Sequence, residues 1–102
     1  IIREICVPLM KDWLQELILP HNHITTLPEI LFTAAENLQV LDVSNNCLWE
    51  LSPSVKKFTK LRSLFVNGNL LESLPEELAT ILSLNEVRCE WNPMLYPPRA
   101  VT

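Results

Sequence analysis

Cysteine and histidine are the side chains best suited to act as nucleophile, base or metal ligand, and this 102-residue chain holds three and two of them. His23 and Cys47 each follow an asparagine, and His21 stands two positions before His23. Placed one structural unit apart, such a group admits a two- or three-ligand metal site or a Cys–His contact. The plainer alternative is two solvated turn histidines beside a partly buried thiol. A closed metal site takes four ligands, and no further Cys, His or acid is placed to complete this one. The three cysteines, Cys6, Cys47 and Cys89, lie 41 and 42 residues apart with no CxxC pair. That spacing fits neither a zinc site nor a disulfide framework. Gly68 is the single glycine, which excludes GxGxxG and Walker-type phosphate loops, and no GxSxG or HExxH stretch occurs. The chemistry-bearing residues therefore predict no catalysis, no metal, no cofactor and no small-molecule substrate.

What these residues share is a position in a repeat. Leu14, Leu17, Leu19, Asn22, Ile24, Leu27 and Pro28 are followed in the same order by Leu38, Leu41, Val43, Asn46, Leu48 and Leu51. The order returns at Leu61, Leu64, Val66, Asn69, Leu71, Leu74 and Pro75, and in part at Leu84, Val87, Cys89, Asn92 and Met94. The asparagines at 22, 46, 69 and 92 step by 24, 23 and 23 residues. Alternate residues of an extended segment share a face, so Leu17/Leu19, Leu41/Val43, Leu64/Val66 and Val87/Cys89 point inward. One rung cannot bury its own leucines; stacked rungs build a parallel sheet and a continuous core. After each strand the chain turns sharply, and a buried carboxamide with two donors and an acceptor can satisfy the stranded backbone groups. Asn22, Asn46, Asn69 and Asn92 are thus expected to form a structural ladder.

The motif L-x-x-L-x-L-x-x-N-x-L across residues 14 to about 98 resembles the leucine-rich repeats. Leu27-Pro28, Leu74-Pro75 and Asn92-Pro93 followed by Tyr96-Pro97-Pro98 resemble the intracellular Ras-group-related and Ras-suppressor type in particular. The resemblance implies an α/β solenoid with a parallel β-sheet on its concave face and short α or 3₁₀ turns on its convex face. The repeats divide as 14–37, 38–60, 61–83 and a partial 84–102, with 1–13 as a degenerate part-repeat at the front. Flanking segments beyond both ends are implied as well. On the return side, acidic residues after Pro28 and Pro75 predict short helices over 29–36 and 76–82. Pro53 falls one residue later in its rung, where a short or 3₁₀ turn fits equally well. The first rung carries one extra residue, which predicts a kinked or longer helix there.

The outward strand positions are the surface on which leucine-rich repeat proteins usually bind. One column reads Ile18, Asp42, Phe65, Arg88; the column before it reads Glu16, Val40, Ser63, Glu86. The two columns after it read Pro20, Ser44, Asn67, Glu90 and His21, Asn45, Gly68, Trp91. A solvated sheet face should be polar, and several apolar residues on one face mark a partner site, with aromatics and arginine as preferred anchors. Ile18, Val40, Asp42, Phe65, Arg88 and Trp91 are the expected contacts, and the partner is expected to be a protein. Trp49 is expected at the loop edge, beside Cys47 and Leu70.

Composition narrows the class further. Eight Lys and Arg against twelve Asp and Glu leave a net charge of −4, with no cationic footprint for nucleic acid or an anionic membrane surface. No apolar run approaches the ~20 residues a membrane span requires. No Asn-x-Ser/Thr acceptor occurs, and with the odd cysteines this predicts an intracellular, cytoplasmic location. Two functions follow, a protein-recognition module of a signalling scaffold or the substrate-targeting segment of a larger cyclase, phosphatase, kinase or ubiquitin ligase; a third alternative is that the rungs only space two other domains.

Overall fold

A computed structural model describes residues 14–95. Four three-residue strands, β1 (Glu16–Ile18), β2 (Val40–Asp42), β3 (Ser63–Phe65) and β4 (Glu86–Arg88), form one parallel sheet in chain order. Leu17, Leu41, Leu64 and Val87 are direct register partners across it, so each repeat stacks in phase on the last. Leu41, Val43, Leu64 and Val66 are fully buried, as inward alternation requires. Val87 departs from that pattern: it stays partly exposed because no described rung follows it to cover its side chain.

The return side holds one α-helix and two 3₁₀ turns. Helix α1 spans Glu29–Ala34, entered from Pro28 with Glu29 in its first turn. The second rung returns through a 3₁₀ turn, Pro53–Lys57, whose Ser52 side chain accepts from the Ser54 N–H at 3.0 Å. The third does the same at Glu76–Thr80, so the short helix expected over 76–82 is wound as 3₁₀. Spacing explains both. A 3₁₀ turn rises ~2.0 Å per residue against ~1.5 Å in an α-helix, so a rung one residue shorter covers the same distance in the tighter winding. The first rung, with its extra residue, is the one with room for α geometry. Phe32 and Phe58 close the core on this side with ring centroids 5.2 Å apart. Leu31, Val55 and Leu61 are buried around them. The part-repeat expected over 1–13 and the Tyr96-Pro97-Pro98 end lie outside the described residues.

Candidate partner-binding face

The strands end in a turn that repeats with the same hand in every rung. His21, Asn45, Gly68 and Trp91 all have positive φ, between 55° and 71°. The N–H groups of His21, Asn45 and Gly68 donate to the Ser44, Asn67 and Glu90 carbonyls of the next rung at 3.1, 2.9 and 3.0 Å. Left-handed backbone is tolerated by Gly and Asn and costs other residues ~1–2 kcal/mol. At Gly68 there is a second constraint, because an added Cβ would press on the Asn45 carboxamide, with Cγ 3.1 Å away. Histidine, like asparagine, is among the side chains that accept this backbone, whereas Trp91 is a poor residue for it.

The asparagine one step further holds each turn to its neighbour. Asn46 Oδ1 accepts from the Asn22 and Ile24 N–H groups at 2.9 and 3.2 Å, and its Nδ2 donates to Leu19, Val43 and Ser44 carbonyls. Asn69 Oδ1 accepts from Leu48 N–H at 2.9 Å while Nδ2 donates to Val43, Val66 and Asn67 carbonyls. Asn92 repeats the pattern with Leu71 N–H and the Val66, Cys89 and Glu90 carbonyls. Each carboxamide thus reaches back one rung. Asn22 is more exposed, and among the described residues its Nδ2 meets only Leu19 and Pro20 of its own rung.

On this scaffold the outward column stands in register: Ile18 beside Asp42, Asp42 beside Phe65, Phe65 beside Arg88. Ile18 is about half exposed, Val40, Asp42 and Phe65 are partly buried, and Trp91 is 81% exposed. Three features of the face escaped the sequence. The Arg88 guanidinium carbon sits 5.9 Å from the Phe65 ring centroid, a cation–π contact. Its Nε also donates to Glu86 Oε2 at 3.1 Å. Asp42 Oδ1 accepts from both the N–H and the hydroxyl of Ser44, at 3.0 and 2.7 Å, and Ser44 is buried by this clamp rather than solvated. Trp91 stands in the left-handed column of the last described rung.

Elsewhere the candidate chemistry does not assemble. Among the described residues no group of three or more His, Cys, Asp or Glu could hold a metal ion. His21 and His23 are exposed, and Cys47 is a partly buried thiol whose backbone N–H bonds to Ile24 O at 2.9 Å. Burial, and then the charge of Glu90, push the Cys89 thiol pKa up. Trp49 and Leu70 are both more than half exposed at the loop edge. No helix among the described residues is long and apolar enough to cross a membrane.

A leucine-rich repeat family model matches residues 13–71. The chain belongs to the leucine-rich repeat family. It is 39% identical over 72 residues to human "Leucine-rich repeat-containing protein 58", covering 68% of this chain and 19% of that protein. It is 41% identical over 83 residues to the Drosophila melanogaster "Leucine-rich repeat and calponin homology domain-containing protein", covering 80% of this chain and 10% of that one. A solved leucine-rich repeat protein of Leptospira interrogans superposes with a TM-score of 0.75 at 35% identity, over 78% of this chain and 20% of the other. The chain therefore spans about a fifth or less of the length of these proteins. Leucine-rich repeat domains generally mediate protein–protein contact, and the columns above are the outward face of such a domain.

Proposed function

We propose that this chain is the protein-recognition module of an intracellular signalling scaffold, and that it docks its partner on the concave sheet through Ile18, Val40, Asp42, Phe65, Arg88 and Trp91. It performs no catalysis; its work is binding. The observation that carries this reading is Phe65: a partly buried aromatic in an interior strand, with an arginine stacked on it and an aliphatic residue two strands away. Interface anchors have that character, an aromatic or arginine in a partly desolvated place with neighbours that exclude water. The acidic net charge favours a protein over nucleic acid. Odd, widely spaced cysteines, with Cys47 and Cys89 both free thiols, support a reducing compartment.

The much greater length of the relatives favours keeping one second reading, in which the repeats select substrates for a catalytic domain elsewhere in the same polypeptide. The full-length open reading frame separates the two. The binding face itself is tested by amide chemical-shift mapping of the labelled chain with a partner isolated on it. Shifts centred on Ile18, Val40, Phe65 and Arg88 are expected; shifts centred on Lys56 and Lys57 would move the site to the convex side and end this reading.

A further inference from the structure

We infer that the partner's contact is a linear segment that carries an arginine or lysine flanked by bulky apolar side chains, with the cation seated on Asp42 and the apolar groups on Ile18 and Phe65. This rests on the concave-face reading and adds to it the chemistry of what is bound.

Across the four outward columns stand four carboxylates, Glu16, Asp42, Glu86 and Glu90, against one guanidinium, that of Arg88. Arg88 is already engaged, with its Nε 3.1 Å from Glu86 Oε2 and its head on the Phe65 ring. Asp42 accepts only from Ser44, at 3.0 and 2.7 Å, and has no cation among its partners in the described residues. The clamp fixes the carboxylate, because Ser44 is itself buried.

Geometry then couples Asp42 to the anchor. Asp42 and Phe65 are direct register partners on adjacent strands, and Ile18 is the partner of Asp42 on its other side. Adjacent strands lie ~4.8 Å apart, so any segment that covers Phe65 and Ile18 also takes Asp42 out of water. A buried carboxylate without a counter-charge is strongly unfavourable. A neutral segment leaves that cost standing and an acidic one adds repulsion; a cation offsets it, with charge-assisted bonds. Read along the column, the face asks for apolar, cationic, apolar.

The test is a random dodecapeptide library displayed on phage and panned on the intact chain. Enriched peptides should carry Arg or Lys next to Leu, Ile, Val or aromatic residues. A synthetic peptide of the enriched sequence should bind about tenfold more weakly to Asp42→Asn, the size of a moderate charge-pair loss, and not measurably to Phe65→Ala. Asn keeps an acceptor for Ser44, so an unchanged melting curve shows that the fold is intact. Panning on Asp42→Lys should select acidic peptides instead. Peptides that need Phe65 but are neutral or acidic, or that ignore Asp42→Asn, overturn the cation inference and leave the concave face standing. Peptides indifferent to Phe65→Ala overturn both. Failure to enrich any sequence overturns the linear-segment inference.

Discussion

Replacing Asn69 by alanine removes more than one bond. Its carboxamide takes the Leu48 N–H at 2.9 Å and gives to the Val43, Val66 and Asn67 carbonyls at 3.0, 2.9 and 3.2 Å. Asn69 is 4% exposed and Leu48 is fully buried, so bulk water does not reach these groups in the parent. An unsatisfied buried polar group costs ~1–3 kcal/mol, and carbonyls with two lone pairs suffer less than an N–H. Allowing one stranded N–H and partial loss at the carbonyls, the expected cost is about 3 kcal/mol. A domain of this size is stable by ~5–15 kcal/mol in all. The change should thus remove a large fraction of that, and lower Tm by ~12–24 °C. Urea denaturation followed by circular dichroism measures it, with exposed Lys56→Ala as the control expected to stay within ~0.5 kcal/mol. A loss under ~0.5 kcal/mol for Asn69→Ala, with the same dependence on urea as the parent, would show that the ladder does not hold the turns.

Three other expectations follow from the same geometry. Leu64 is fully buried between Leu41 and Val87 in the stacked column, so Leu64→Ala should cost ~2–5 kcal/mol by the same urea assay. Trp91 holds φ at 64° while 81% exposed; Trp91→Gly should therefore stabilise the fold by ~1 kcal/mol, even as it removes a contact from the proposed face, and a loss of stability would show packing that outweighs the backbone strain. Hydrogen bonds from Ser52 and Ser54, and then the charge of Lys57, hold the Glu29 carboxyl below its ordinary value of 4.5. The folded pKa is depressed, so this stability is present above pH 4.5 and lost as pH falls through the folded value. Glu29→Gln should flatten that acid limb of a stability–pH profile, and an unchanged limb would count against the contact.

Much of the fold was legible because the repeat encodes it twice. The asparagine steps of 24, 23 and 23 set the stacking register, and strand alternation sets which leucines go in. The structure pairs Leu17, Leu41, Leu64 and Val87 as that alternation demands. Less was legible where local preference and tertiary context disagree. Glu76–Thr80 has helix-forming residues, yet its rung has too few of them for α geometry. His21 and Trp91 adopt the same left-handed backbone as Asn45 and Gly68 at the equivalent turn of their rungs. The outward columns placed Asp42, Phe65 and Arg88 side by side. They could not say that Arg88 would turn to both Phe65 and Glu86, or that Ser44 would be buried as the clamp on Asp42. Those choices depend on rotamers, and the spacing of residues does not encode rotamers.

The central claim is that the concave sheet binds a protein and that Phe65 anchors it. Calorimetric titration of an isolated partner against the parent chain, Phe65→Ala and the convex control Lys56→Ala tests it most directly. Phe65 is half-buried on the outward side, so truncation should leave the fold intact and weaken binding by at least ~2 kcal/mol, about thirtyfold in Kd. Lys56→Ala should bind like the parent. If Lys56→Ala abolishes binding while Phe65→Ala matches the parent, the concave-face account is contradicted and the partner docks on the helical side.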